Sequence, residues 1–302
     1  MNKIIKKTYW KVMPENIREK IRELIFACKG RKAIEELRVL ADQEGANRKE
    51  YQKIVEFLEK NKLGVYNYDF IKKYADLRID VYRDEECGLF YVLRNGKKLY
   101  FKRDYDSEEL VRNYYRTILL EQDADSPHRY TSEEFLIEGG VLVDCGGAEG
   151  FFMLDAIEKI DKGIVFEAED DWVEALNKTF EPYKNKVEII KKYVSDISDD
   201  VYIKLDDILD KDIKEIAIKM DIEGYEQKAL EGAQSVIYTI PRVILFVAAY
   251  HKPEDYNKIK EWIQTNGKYK IQESNGFMVN LWEKKMKEPF WRKGIIRAKK
   301  VK

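Results

Sequence analysis

Cysteine and histidine are scarce in this chain, which has three cysteines and two histidines among its 302 residues. Cys28, Cys87 and Cys145 are widely separated and form no C-x-x-C pair, so neither a disulfide framework nor a zinc knuckle is expected. This usage predicts a reducing, cytoplasmic environment. The longest apolar run, residues 243–249, falls far short of the roughly 20 residues that span a bilayer and predicts a buried strand. The basic N-terminus lacks the apolar core of a secretory signal, so none is expected.

An excess of charge of one sign is also missing. The 55 Lys and Arg residues nearly cancel the 56 Asp and Glu residues, which argues against a dedicated nucleic-acid binder. The charges are unevenly spread, because residues 284–302 interleave Lys and Arg with apolar and aromatic side chains. Residues 286–302 are therefore interpreted as a basic C-terminal tail, either a solvated helix or a frayed end. The alternative is peripheral contact with the anionic inner face of a membrane.

Three patterns divide the rest of the chain. Residues 1–85 predict a helical appendage with separate helical stretches, and residues 86–120 predict a β-hairpin around Asn95-Gly96 followed by a helix from Ser107. Residues 121–285 alternate short apolar strands with amphipathic helices, which predicts an α/β fold whose mostly parallel sheet carries helices on both faces. The predicted strands are residues 141–143, 164–166, 187–191, 216–220 and 243–249.

A glycine-rich turn follows the first predicted strand. Gly146, Gly147 and Gly150 let a ligand approach the backbone closely, and Asp144 before them suits a ligand that carries an ammonium group. The G-G-x-x-G spacing is neither the dinucleotide G-x-G-x-x-G nor a P-loop. The turn thus predicts a cofactor site, with an ordinary tight strand-to-helix turn as the alternative.

Acidic and polar side chains follow the next two strands. Glu167 lies about twenty residues after the glycine turn, where nucleotide-binding α/β folds place a carboxylate for ribose hydroxyls. Ser195 and Asp196 follow the third strand, where they would either contact an adenine amine or cap a turn. All three residues are candidates for cofactor binding.

With these features together, the sequence resembles S-adenosylmethionine-dependent methyltransferases with a Rossmann-like sheet, and more narrowly the FkbM family. The resemblance rests on V-D-C-G-G-A-E-G-F-F at 143–152, V-F-E at 165–167, and above all K-M-D-I-E-G-Y-E at 219–226 with L-E-G-A at 230–233. It covers roughly residues 120–285 and departs at Gly-Gly-Ala-Glu-Gly, where many relatives have Gly-Ala-Asn-x-Gly. It implies a class I methyltransferase fold, S-adenosylmethionine as cofactor, and O-methylation of sugars or related natural products.

Transfer of a methyl group to an alcohol requires a general base or a metal ion that lowers the pKa of the hydroxyl. Asp221 and Glu223 follow the fourth predicted strand and His251 follows the fifth, so all three are catalytic candidates. They could share a divalent metal ion, or His251 could act as a base without one. In the structural alternatives, Asp221 binds turn amides, Glu223 and Glu226 begin a helix, and His251 caps the next helix.

The acceptor side of the site has weaker candidates. His128 and Arg129 in the loop before the first strand could bind an anionic group, and Tyr250 could stack on a sugar; a solvated connection and simple packing are the alternatives. The predicted function is O-methylation of a sugar, nucleotide-sugar or glycan acceptor, as in capsule or lipopolysaccharide. An NAD-type nucleotide-sugar oxidoreductase and a non-catalytic cofactor-binding module are the other hypotheses. No nucleic-acid partner is expected, and a homo-oligomer is left open.

Overall fold

The computed structural model describes residues 15–210, 212–281 and 286–301, with side chains from residue 27 onward. The N-terminal stretch without a secretory pattern lies outside the described residues, as do Lys284, Lys285 and Lys302 of the basic segment. The chain forms two compact units, Met1–Tyr68 with Val279–Trp291, and Asp69–Met278 with Arg292–Lys302.

The smaller unit is helical. One helix, α1, spans Glu15–Asp42, and α2 spans Arg48–Leu58 after the predicted connection near Gly45. Residues 15–42 form one continuous helix where separate helical stretches were predicted, because an interior glycine such as Gly30 costs a helix only about 1 kcal/mol. The first part of this unit ends at Tyr68, whereas the sequence prediction placed the boundary at residue 85.

A later segment of the chain belongs to this smaller unit. The backbone N–H of Phe290 donates to Glu36 Oε2 at 2.8 Å, and the indole of Trp291 donates to the Ala33 carbonyl at 2.7 Å. The unit therefore combines residues that are far apart in sequence, and local composition does not indicate that they belong together.

The larger unit begins with a three-stranded sheet, β1 (Val81–Arg83), β2 (Phe90–Arg94) and β3 (Lys97–Tyr100), followed by α3 (Glu108–Glu121). The predicted hairpin is confirmed: β2 and β3 are antiparallel, and Asn95 and Gly96 both have positive φ in the two-residue turn. The Ser107 side chain caps α3 by accepting from the Leu110 N–H. We call β1–β3 and α3 together the hairpin module.

A seven-stranded sheet is the centre of the larger unit. Its strands are β4 (Val141–Cys145), β5 (Lys162–Phe166), β6 (Val187–Ile190), β9 (Glu215–Met220), β10 (Arg242–Ala248), β11 (Tyr269–Glu273) and β14 (Ile295–Lys300). Their order in the sheet is β11-β14-β10-β9-β4-β5-β6, and β14 is the one strand that runs opposite to the others. All five predicted strands are present, and the predicted α/β class is confirmed. Shorter strands are β7 (Tyr193–Val194), β8 (Tyr202–Ile203), β12 (Met278–Val279) and β13 (Trp291–Arg292).

Apolar side chains along each central strand point alternately to the two faces of the sheet and pack into two separate cores. Leu142 and Phe246 face a core shared with the hairpin module, α4 (Phe151–Ala156) and α5 (Asp170–Phe180). Val143 and Leu245, one residue along, face a second core with α6 (Glu226–Glu231), α7 (Gln234–Thr239) and α8 (Asp255–Thr265). Helices thus cover both faces of the sheet, which holds the strand ends rigidly in place.

The basic C-terminal segment is a buried strand, and its interpretation as a tail was wrong. β14 lies between β10 and β11, and Arg297 within it donates to the backbone carbonyls of Arg129 and Tyr130, each at 2.6 Å. The Lys300 ammonium likewise donates to carbonyls at the end of α7, including that of Ile240 at 2.9 Å. Arg297 and Lys300 thus contact carbonyls of the fold, and peripheral contact with a membrane stays a prediction. No helix within the described residues has the length and apolar character of a membrane span.

Candidate functional site

The glycine turn and the turn after β9 meet where the strand order reverses. Gly146 follows β4 with φ +81°, and a Cβ atom there would lie 2.1 Å from the Asp221 carbonyl oxygen. The Asp221 N–H donates to the Cys145 carbonyl at 3.2 Å. Only glycine allows this approach, and ligands of open α/β sheets bind in the crevice at such a switch point.

A cleft of about 500 Å³ opens at these strand ends. Its walls come from the glycine turn, the segment after β5, the segment after β6 and the turn after β9. Its lining residues are Gly146, Ala148, Phe166, Glu167, Ala168, Glu169, Trp172, Lys192, Tyr193, Val194, Tyr202, Asp221, Ile222, Glu223 and Tyr225. The sequence candidates Gly146, Glu167, Asp221 and Glu223 therefore share one cavity.

Glu167 connects two walls of this cleft. One carboxylate oxygen accepts from the Ala148 N–H at 2.9 Å, and the other accepts from the N–H groups of Ala168 at 2.7 Å and Glu169 at 2.9 Å. Three amide donors hold the carboxylate in one orientation. A carboxylate has about four acceptor sites, and three are used here, so Oε2 can still accept a bond from a hydroxyl in the cleft.

Asp144 does not line the cleft, although the sequence predicted that it would face a ligand ammonium. It is completely buried, and Lys219 Nζ lies 2.9 Å from its carboxylate and donates to the Gly146 carbonyl at 2.5 Å. Burial lowers the pKa of Lys219, but the carboxylates of Asp144 and Asp221 outweigh that effect and raise it. Asp144 therefore forms an internal ion pair with Lys219 beneath the turn and is not available to a ligand in the cleft.

The other predicted cofactor residues divide in the same way. Gly147 and Gly150 pack their backbone against Val165 and Leu176, where a Cβ would clash, so they shape the turn without lining the cleft. Ser195 donates to Asp196 at 2.9 Å, and Asp196 lies 3.5 Å from Lys228 Nζ. These contacts favour the turn-capping alternative for that pair.

Four side chains surround the Asp221 carboxylate. The Tyr130 hydroxyl donates to it at 2.5 Å and the Tyr250 hydroxyl at 3.3 Å, while the Nε2 atoms of His128 and His251 lie 3.4 Å and 3.3 Å away. Burial raises the pKa of Asp221, but the bond from His128 and the charges of both histidines outweigh it, so the pKa is lowered. The carboxylate is held ionised at the edge of the cleft.

His251 lies between two carboxylates. Its Nε2 faces Asp221, and its Nδ1 lies 3.1 Å from Glu226 Oε1. Burial lowers the pKa of His251, but Glu226 and Asp221 outweigh it and raise the pKa to about 9. Glu226 is 1 % exposed, and the N–H groups of Ile222 and Gly224 hold its Oε1 in place.

Sequence reasoning treated Glu226 as a helix-start acid and did not single out Tyr130. Glu226 does begin α6, but it also contacts the imidazole of the next strand end. Its place in the K-M-D-I-E-G-Y-E segment was the available signal for this role. Tyr130 carried no signal, because nothing in its local sequence indicates that its hydroxyl reaches Asp221.

Glu223 lies at the surface and does not face inward, as a metal ligand would. Its side chain is 94 % exposed, and its Oε2 lies 3.9 Å from His251 Nε2. Its backbone has φ +57° in the turn after β9. Among the described residues, the group whose ligand atoms lie within 4.8 Å of one another is Asp221, Glu226 and His251.

The three residues that were predicted to contact the acceptor lie in two different places. His128 and Tyr250 belong to the Asp221 cluster, with His128 Nε2 3.0 Å from the Tyr250 hydroxyl. Arg129 is not among the residues that line the cleft, and its carbonyl accepts from Arg297. The loop before β4 therefore contributes through His128 and Tyr130.

Solved structures that match the chain include methyltransferases. Methyltransferase FkbM from Methylobacillus flagellatus KT matches with 20% identity and a TM-score of 0.45, over 66% of this chain and 56% of that one. Precorrin-6y C5,15-methyltransferase from Geobacter metallireducens GS-15 has 13% identity and a TM-score of 0.37, over 55% and 82% of the two chains. An rRNA methylase from Streptococcus thermophilus has 11% identity and the same TM-score of 0.37, over 56% and 91%. No family model and no curated protein matches the chain.

The strand order decides the fold. Three parallel strands lie on one side of the switch point, and on the other side β14 is inserted antiparallel between β10 and β11. The chain has a class I methyltransferase fold. This is the fold that the FkbM resemblance implied. The chain spans little more than half of the length of the FkbM methyltransferase that it matches.

Proposed function

We propose that this protein is an S-adenosylmethionine-dependent methyltransferase that methylates a hydroxyl group of a sugar or glycan. The observation that carries the proposal is the single cleft that brings Glu167 and the glycine turn together with Asp221. In one space it combines a carboxylate suited to ribose hydroxyls with a rigidly held carboxylate suited to an acceptor hydroxyl.

The cleft fits the cofactor in size and charge. Its volume of about 500 Å³ is within the range of small-molecule sites, roughly 300–1,000 Å³. Four carboxylates line it against one lysine, Lys192, which favours a ligand that carries a cationic sulfonium. Glu167 would accept from a ribose hydroxyl through Oε2, and Gly146 allows the glycine turn to pack closely against Asp221 at the edge of the cleft. When bound, S-adenosylmethionine supplies an activated methyl group.

The protein's own residues then position the acceptor and take its proton. Asp221 accepts a hydrogen bond from the acceptor hydroxyl, and its four neighbours prevent it from rotating away. As the hydroxyl oxygen bonds to the methyl carbon and the bond from that carbon to sulfur breaks, the hydroxyl proton would pass to the Asp221–His251 pair. The pair can take this proton when the His251 imidazole is neutral, because the Asp221 carboxylate, whose pKa is lowered, is a weak base. Because the pKa of His251 is raised to about 9, the pair accepts a proton more readily as the pH rises.

A divalent metal ion is the other way to activate the hydroxyl. Asp221, Glu226 and His251 would hold it, and the ion would act as a Lewis acid. One observation favours this arrangement: Glu226 Oε2 is buried and has no hydrogen-bond partner among the described residues. Against it, each imidazole nitrogen of His251 already lies within 3.3 Å of a carboxylate, so metal binding would displace one of these contacts.

The acceptor class rests on the FkbM resemblance, and one feature of the cleft supports it. Tyr225 lines the cleft four residues after Asp221 and is 50% exposed, so it offers an aromatic face to a pyranose ring. The NAD-type alternative is disfavoured by the glycine spacing. The non-catalytic alternative is disfavoured by the complete set of donors around Asp221.

Calorimetric titration of the full chain with S-adenosylmethionine and S-adenosylhomocysteine tests the cofactor. We expect both to bind, and failure of both to bind folded protein would refute the proposal. Transfer of labelled methyl to a glycan extract tests the reaction. Asp221→Asn should abolish transfer and leave cofactor affinity nearly intact. Asp123→Asn is the matched control, because Asp123 also accepts from a tyrosine hydroxyl, that of Tyr74 at 2.6 Å, but lies outside the cleft.

A further inference from the structure

The hairpin module forms ion pairs with α4 and α5, the two helices that follow β4 and β5. Arg94 Nε donates to Asp155 of α4 at 2.7 Å, and Arg103 Nε donates to Glu174 of α5 at 2.8 Å. Both pairs are bidentate, which gives them a defined geometry. These contacts place the module over one face of the sheet, beside the cleft.

One contact of the module reaches the glycine turn. Tyr114 of α3 donates its hydroxyl to Glu149 Oε2 at 2.9 Å, and Glu149 is 3 % exposed. Burial raises the pKa of Glu149 to about 7, while a backbone hydrogen bond and the bond from Tyr114 favour the ionised carboxylate. The position is the one after Ala148, within the segment whose sequence departs from the relatives' Gly-Ala-Asn-x-Gly.

A second contact reaches the wall of the cleft that follows β5. Lys102, just after β3, donates to Glu169 Oε2 at 2.9 Å, and its ammonium lies 4.9 Å from the centre of the Trp172 ring. Glu169 and Trp172 both line the cleft. Tyr105 and Tyr114 pack against the same indole, each with ring centres 5.8 Å away.

We propose that Tyr114 and Lys102 are positioning residues of the cofactor site, and that through them the hairpin module holds two walls of the cleft in their binding geometry. The inference rests on the proposed function, because the ligand of the cleft is taken to be S-adenosylmethionine. A turn and a loop end are mobile unless other elements hold them. Holding them before binding reduces the ordering cost that the ligand must overcome.

The test measures the Kd of S-adenosylhomocysteine for full-length variants. Lys102→Ala should weaken binding about tenfold, the size expected for one partly buried ion pair with its aromatic contact. Lys102→Arg should restore binding, since arginine can pair with Glu169 and stack on Trp172. Tyr114→Phe keeps the ring packing and removes only the hydroxyl, and it should weaken binding severalfold.

Two variants of the same chemistry serve as controls away from the cleft. Lys98→Ala removes a lysine that lies 4.5 Å from the Tyr91 ring centre and pairs with Asp84, and Tyr74→Phe removes a hydroxyl bonded to Asp123. Both controls should bind S-adenosylhomocysteine as the unmodified chain does. Urea unfolding of every variant establishes that the binding losses are measured on folded protein.

The outcomes separate this inference from the proposed function. If the unmodified chain binds and the cleft variants bind equally well, the inference is overturned and the proposed function stands. If Lys98→Ala weakens binding as much as Lys102→Ala, the effect is general destabilisation and the inference is overturned. If the unmodified chain does not bind, the proposed function fails and the inference fails with it.

Discussion

Replacement of Glu226 by glutamine tests how the strand-end cluster is charged. Glu226 Oε1 lies 3.1 Å from His251 Nδ1, and the pKa of His251 is raised to about 9. Glutamine has nearly the same shape and keeps an oxygen for the N–H groups of Ile222 and Gly224, but it removes one negative charge. Removal of an opposite charge at this distance should lower the pKa of His251 by about 1–2 units. Asp221, Glu223, His128 and Asp255 remain as charged or titratable neighbours.

Proton NMR of the imidazole groups between pH 6 and 10.5 measures this change without knowledge of the acceptor. The chain has two histidines, so His128→Gln assigns the remaining resonance to His251. Glu254→Gln is the control, because Glu254 is a nearby carboxylate that pairs with Lys258 on the surface. Titration of His251 near its ordinary value of about 6.5 in the unmodified chain would refute the reasoning. An unchanged pKa in Glu226→Gln would refute it equally.

Three further predictions concern the charge on His251, the backbone of the glycine turn and metal binding. Because the pKa of His251 is raised, its stabilising contribution is present below about pH 6.5 and is lost as the pH rises through about 9; urea unfolding should show a smaller decline in stability over this range for His251→Gln. Ala148 has φ +44°, a conformation that asparagine tolerates better, so Ala148→Asn should raise the unfolding free energy by about 0.5–1 kcal/mol. Chelation should leave methyl transfer unchanged, since both nitrogens of His251 have carboxylate partners; loss that Mg²⁺ or Mn²⁺ restores would contradict this and assign a metal site.

Hydrophobic periodicity and turn-forming residues correctly predicted those elements whose local sequence reflects their backbone conformation and their burial. The Asn95-Gly96 hairpin and the five parallel strands are examples, because positive φ and burial on both faces leave local signatures. Of the predicted site, Gly146, Glu167, Asp221 and Glu223 do line one cleft, as expected of residues at neighbouring strand ends.

Residues whose role depends on a distant partner were not predicted. Arg297 looks like part of a solvated basic tail until the carbonyls of Arg129 and Tyr130 are brought to its guanidinium. Asp144 looks like a ligand for an ammonium group until Lys219, 75 positions away in the chain, is placed against it. In both cases a buried charge is compensated by tertiary contacts, which local sequence does not encode.

The ion pair between Lys219 and Asp144 helps to distinguish a dinucleotide from S-adenosylmethionine as the cofactor. With Lys219 bound to Asp144 beneath the turn, that lysine is not among the residues that line the cleft, where Lys192 faces Glu167, Glu169, Asp221 and Glu223. A dinucleotide would bring a pyrophosphate into this acidic space, and its negative charges would repel the lining carboxylates. A sulfonium with an ammonium and a carboxylate carries net positive charge and is attracted by them. The charge of the cleft therefore favours the methyl donor independently of the glycine spacing.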